Sequence, residues 1–161
     1  MTYDHNWQLD TIVEQLREAR SEWRSAQGRT HEPGDRELPS RTAMKSIVES
    51  LAGALFPMRL GPADLRKANE DFYVGHTLDQ ALNLLLQQAM LELRHTHRKN
   101  PLDPEDLLQQ ARDIVRRFAA ELPHLRRILD TDVMAAYRGD PAAKSVDEVL
   151  LCYPGVLAVI H

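Results

Sequence analysis

The side chains in this sequence able to do chemistry are carboxylates, imidazoles and one thiol, and their spacing decides between uses. His95-Thr96-His97 lies in a helical pattern, where a two-residue step turns the imidazoles about 200° apart, too far round to share a metal ion. Arg94, Arg98 and Lys99 beside them repel a cation further, and imidazoles suit the end of a helix, where partial positive charge is favourable. His76 and His124 have no partner at ligand spacing, so no metal site is expected. Glu70-Asp71 and Asp79 flank an expected turn and read as caps and solvated helix faces rather than as a paired-carboxylate catalytic site. Cys152 sits among apolar residues with no His or Lys within one turn, the setting of a buried structural thiol rather than a nucleophile. Asp140 differs from all of these. It stands between Gly139 and Pro141, in a rigid turn where the backbone itself holds the carboxylate. Residue physics alone favours a plain turn aspartate there over a carboxylate that meets a ligand.

Composition narrows the partners. The 161 residues form one ordinary domain's length, enough to remove roughly 70% of the extended chain's surface from water. Apolar residues at 43% and charged residues at 27% exclude a disordered tail and a fibre. Twenty basic against 24 acidic residues leave a net charge of −4, and the basic residues are interleaved with acids, so no nucleic-acid surface is expected. The apolar stretch from Leu78 to Leu93 is broken by Asp79, Asn83 and Glu92, and no membrane span or secretory signal is expected. A single cysteine fits a reducing compartment. No Gly-x-Ser-x-Gly, P-loop or Gly-x-Gly-x-x-Gly motif occurs, which removes the commoner hydrolase and nucleotide sites.

The elements that must position Asp140 are helices. Apolar residues recur every three or four positions and strict alternation is missing, so the fold class is all-α, with six or seven helices and no sheet. The first helix is expected from Trp7 to Ala26, ended by Gly28, and Arg29 to Pro39 with Pro33-Gly34-Asp35 as a mobile linker. Ser40 should cap a helix through Leu55, and Pro62 should begin one that stops at Gly75-His76. Thr77 and Gln80 make a capping-box pattern for a central, most buried helix. Asp103-Pro104 should open a helix with Leu107, Leu108, Ala111, Ile114, Val115, Phe118 and Ala119 inside. Pro123 should separate it from another that buries Leu125, Ile128, Leu129, Val133, Ala136 and Tyr137. Gly139 should stop that helix, and Ser145 with Glu148 should cap a short one through Cys152. Pro154 then begins an apolar run to Ile160. Three parts are expected: 1–40, N-terminal helix and linker; 41–144, helical core; and 145–161, short helices leading onward. A chain stopping at His161 inside an apolar run reads as cut short.

The run Thr131-Asp132-Val133-Met134-Ala135-Ala136-Tyr137-Arg138-Gly139-Asp140-Pro141-Ala142-Ala143, with Ser145-Val146-Asp147-Glu148-Val149-Leu150 and Tyr153-Pro154-Gly155-Val156-Leu157-Ala158-Val159-Ile160-His161, strongly resembles serine O-acetyltransferases just before their catalytic domain. Phe72-Tyr73-Val74-Gly75-His76 and Leu78-Asp79-Gln80-Ala81-Leu82 resemble the same family's longer N-terminal branch. The resemblance covers about Ala68 to His161, and earlier residues match it in helical character only.

The resemblance implies transfer of an acetyl group from acetyl-CoA to L-serine in cytoplasmic cysteine synthesis. It implies a helical domain that joins trimers, followed by a left-handed β-helix of hexapeptide repeats. The seven glycines, at 28, 34, 53, 61, 75, 139 and 155, do not follow a six-residue repeat, so the β-helix is expected to be absent from this chain. With it go the catalytic histidine and aspartate, the CoA groove and the tail that binds O-acetylserine sulfhydrylase. No catalytic residue, cofactor site or metal ligand is therefore expected here. Asp140 alone carries over: it matches the aspartate of the family's Asp-Pro-Ala motif, which contributes to the serine pocket and to inhibition by cysteine. Two functions remain in competition, a truncated serine O-acetyltransferase inactive by itself, and a free-standing helical interaction module that binds through Gly155 to Ile160.

Overall fold

The computed structural model describes residues 8–27 and 38–161. Trp7, Gly28 and Pro33-Gly34-Asp35, which carried expectations about the first helix and linker, lie outside the described residues. Among those described there are seven α-helices, one 3₁₀ turn and no strand, so the all-α class and the helix number hold. The chain divides into two compact units, 1–36 and 37–161.

The first unit contains α1, Leu9–Ala26. Its apolar positions Leu9, Ile12, Val13, Leu16, Ala19 and Trp23 recur at helical spacing, and Arg17 pairs with Glu14 one turn earlier.

The second unit is built from α2 (Arg41–Leu55), α3 (Pro57–Leu60), α4 (Glu70–Thr96), α5 (Pro104–Gly139), α6 (Val146–Cys152) and α7 (Pro154–Ile160), with a 3₁₀ turn at Lys67–Asn69. Ser40 caps α2 as expected, its hydroxyl accepting from the Ala43 N–H at 3.3 Å. Asp103 caps α5, accepting from the Glu105 N–H at 3.0 Å, with Pro104 at the first helical position, where a missing N–H costs nothing.

Two breaks expected from sequence are not breaks. Residues 62–66 are irregular, and α4 starts at Glu70 and runs through Gly75, His76 and Thr77 without interruption. Thr77 and Gln80 are therefore interior helix residues, not a cap. Glycine inside a helix costs about 1 kcal/mol relative to alanine, which the packing of α4 between α2 and α5 outweighs. Likewise α5 continues through Pro123 as one helix of 36 residues.

That length lets α5 serve two cores. Before Pro123, Leu122 and Phe118 pack with Ile47 and Leu51 of α2 and Ala81 of α4. Beyond it, Leu129, Val133, Ala136 and Tyr137 pack with Phe56, with Val149 and Leu150 of α6, and with Val156 and Ile160 of α7. Ile47 and Val149 are enclosed, each contributing about 1.5–3 kcal/mol of apolar burial. Leu55 touches both cores. Arg126 binds the junction, with its guanidinium 4.1 Å above the Phe56 ring and donating to the Leu55 carbonyl and, at 3.0 Å, to Asp130.

The expected burial needs three corrections. The continuous path of α5 turns Ile114, Leu125 and Ile128 outward, leaving them exposed. Helix α4 lies centrally but buries only Ala81 and Gln88, because its apolar residues are spread around its circumference and its two neighbours cover only part of it. Cys152, the last residue of α6, is exposed, because α6 turns Val149 and Leu150 inward instead.

Candidate functional site

The second core fixes the turn that follows α5. Helix α5 ends at Gly139, and Asp140 adopts an extended backbone with φ −115° and ψ 106°, the conformation required of a residue before proline. Its carbonyl accepts from the Ala143 N–H at 3.1 Å, and its Oδ1 accepts from the Ala142 N–H at 2.8 Å. The carboxylate is thus folded back on its own turn, as the Gly139-Asp140-Pro141 pattern predicts. Five residues after Asp140, Ser145 caps α6 by accepting from the Glu148 N–H at 3.0 Å, while Glu148 reaches back to the Lys144 N–H at 2.8 Å. This is a capping box shifted by one donor.

Helix α6 then delivers the residue that sequence reasoning missed. Tyr153 is the single residue between α6 and α7. Its N–H donates to the Val149 carbonyl at 3.2 Å and its own carbonyl accepts from the Leu157 N–H at 3.0 Å. Its ring packs on the second core, and its hydroxyl donates to Asp140 Oδ2 at 2.5 Å. Tyrosine next to Pro154 does signal a helix joint, but nothing in the spacing says which carboxylate its hydroxyl will meet thirteen residues back.

Both oxygens of Asp140 are therefore hydrogen-bonded, and the side chain is half-buried. The Tyr153 hydroxyl first, then the Ala142 N–H, hold its carboxyl below the usual carboxylate range. The Tyr153 phenol is pushed up to about 12 by that bond, with partial burial and the charges of Asp140 and Glu148 adding to it. At neutral pH the pair is an ionised carboxylate and a protonated phenol. A carboxylate offers about four acceptor positions, so lone pairs remain for a donor from outside.

The other candidates do not join this site. Glu70 and Asp71 lie in the first turn of α4, where acids complement the helix dipole. Asp79 instead ties down Asn83, whose amide reaches its carboxylate at 3.1 Å and its carbonyl at 2.8 Å. His95, in the last turn of α4, lies 3.0 Å from the Arg98 guanidinium, and His76 stacks on Phe72. Among the described residues no cluster of three metal-ligating side chains forms. A cleft of about 590 Å³ opens between α3, α5 and α6. Its rim holds Arg59, bonded through two nitrogens to Asp147 at 2.7 and 3.1 Å, and this ion pair ties α3 to α6.

No family model matches the chain. It is 39% identical over 159 residues to a protein named "Serine acetyltransferase, plasmid" from Synechococcus elongatus, an alignment that takes in 96% of this chain and 49% of the relative. Over nearly its whole length the chain is similar to a serine acetyltransferase. It spans about half the length of this relative. The similarity to a serine acetyltransferase is also wider than the motifs from Ala68 onward suggested, since at 96% of the chain it reaches back into α1 and α2. No helix of the described residues is long and apolar enough to cross a membrane.

Proposed function

We propose that this chain is the helical, assembly-forming part of a serine O-acetyltransferase and supplies Asp140 to its serine pocket. In the reaction, the serine hydroxyl attacks the thioester carbonyl of acetyl-CoA, its proton passes to a base, and the CoA thiolate leaves to give O-acetylserine. The groups that remove that proton and hold CoA are assigned to the family's β-helix, not to residues 1–161. Asp140 fits a binding role. An ionised, half-buried carboxylate with free lone pairs can accept from the ammonium or hydroxyl of serine, and such charge-assisted bonds are the stronger kind. Cysteine, with a thiol in place of the hydroxyl, would occupy the same place. Self-association through the helices and a cytoplasmic setting belong to the same reading. Exposed apolar residues such as Ile128 at 42% and Val159 at 61% are suited to contact another chain.

The observation that carries this reading is the match to a serine acetyltransferase across nearly the whole chain. It is tested by replacing the corresponding segment of the Synechococcus elongatus relative with residues 1–161 and following CoA release from acetyl-CoA and L-serine. An active chimera whose serine KM rises at least tenfold on Asp140→Asn supports it. An active chimera indifferent to that change removes Asp140 from the pocket, and an inactive one removes the chain from this role.

A further inference from the structure

The carboxylate of Asp140 sits at the end of a turn, yet three features restrict it to one orientation. The Ala142 N–H fixes Oδ1 at 2.8 Å, and the Tyr153 hydroxyl fixes Oδ2 at 2.5 Å. The third feature is the rigidity of the second donor. Tyr153 is held at both backbone ends by the bonds that finish α6 and start α7, and its ring is packed on the core formed by Phe56, Val133, Val149 and Leu150. A hydroxyl mounted in this way cannot follow the carboxylate if the carboxylate rotates, so rotation breaks the bond.

We propose that Tyr153 is a positioning residue for the amino-acid site: its hydroxyl holds Asp140 in the one orientation whose remaining lone pairs face an incoming donor. The inference rests on the reading that Asp140 meets serine. It adds that the recognition of serine depends on a residue that touches Asp140 rather than substrate. It also restricts the ligand chemistry. Tyrosine remains the donor and Asp140 the acceptor throughout neutral pH, because a carboxyl is ionised and a phenol protonated there, and the bond between them moves both groups further from neutrality. The arriving group must then donate, as an ammonium, hydroxyl or thiol does; a bare carboxylate or carbonyl oxygen finds no proton there.

Tyr153→Phe removes the hydroxyl and keeps the ring in the core, so folding is retained. In residues 1–161, ¹³C titration should show the Asp140 carboxyl midpoint moving up in the variant. In the chimera, Tyr153→Phe should raise the serine KM about tenfold, equivalent to about 1.4 kcal/mol, and should raise KM more than it lowers kcat. The double variant with Asp140→Asn should be no worse than Asp140→Asn alone, since residues acting through one another are not additive. An unmoved Asp140 titration, an unchanged KM, or a double variant showing the product of the two single effects would each overturn the positioning role. If Asp140→Asn itself left the serine KM unchanged, the serine-pocket reading beneath it would fall instead.

Discussion

The backbone N–H of Ser40 donates to Oε1 of Gln88 at 2.7 Å, joining the residue that caps α2 to a side chain on α4 that is only 6% exposed. Among the described residues Gln88 is the one polar side chain that is buried, and this bond gives its carbonyl a partner. Gln88→Leu should preserve the packing volume but leave the Ser40 N–H without its acceptor, at a cost of about 1–3 kcal/mol. Urea unfolding of the two proteins compares them directly. Equal stability would mean that water replaces the glutamine and that the bond carries no weight.

Local chemistry was legible where a residue acts on its immediate neighbours. Ser40, Asp103 and Ser145 cap the helices they precede, and the turn at Asp140 forms as Gly139 and Pro141 dictate. What was not legible is long range. Gly75 and Pro123 are helix breakers by propensity, and their neighbours in sequence do not reveal that α4 is held between two helices or that α5 carries a core on each side of Pro123. The partner of Asp140 was hidden for the same reason: Tyr153 is thirteen residues away, and only the path of α6 brings it back.

These two positions predict stabilising substitutions. A Cβ added at Gly75 meets nothing within 4 Å, so Gly75→Ala should stabilise by about 1 kcal/mol through helix propensity alone. Pro123 is exposed inside α5, and Pro123→Ala restores a helical N–H at a surface position. Its gain should be larger, up to about 3 kcal/mol. Thermal unfolding by circular dichroism reads both, and a lowered melting temperature in either variant would mean that the helix is shaped by its breaker.

Two other glycines should respond in the opposite direction. A Cβ at Gly61 would lie 2.3 Å from the Pro57 carbonyl oxygen, and one at Gly53 would lie 2.7 Å from the Tyr73 hydroxyl. Gly61 is the closing residue of α3, its N–H bonded to that same carbonyl at 3.1 Å, so the clash is with backbone and cannot be relieved by a side-chain rotation. Gly61→Ala should therefore cost about 1–3 kcal/mol, in the range of overpacking. Gly53→Ala should cost less, because Tyr73 can shift the end of its side chain. The reverse order in chemical denaturation would mean that the Tyr73 ring is held more firmly than the α3 backbone.

The Tyr153–Asp140 bond should be lost at both ends of the pH scale. The Asp140 carboxyl is lower in the folded chain than in the unfolded one, so its contribution is complete above the ordinary carboxylate range, near 4, and disappears as pH falls through the lower folded value. The Tyr153 phenol is higher when folded, about 12 against about 10 for free tyrosine. Its contribution is complete below about 10, the unfolded value, and is lost as pH rises to about 12, when the phenolate can no longer donate. Absorbance at 295 nm follows the four tyrosines of the chain, and Tyr153→Phe identifies which late-titrating component is Tyr153. In Asp140→Asn that component should move down towards 10, because the bond and the negative charge that raise it are both gone. If it stayed near 12 without the carboxylate, burial rather than Asp140 would be holding the proton, and the pairing of these two residues would have to be abandoned.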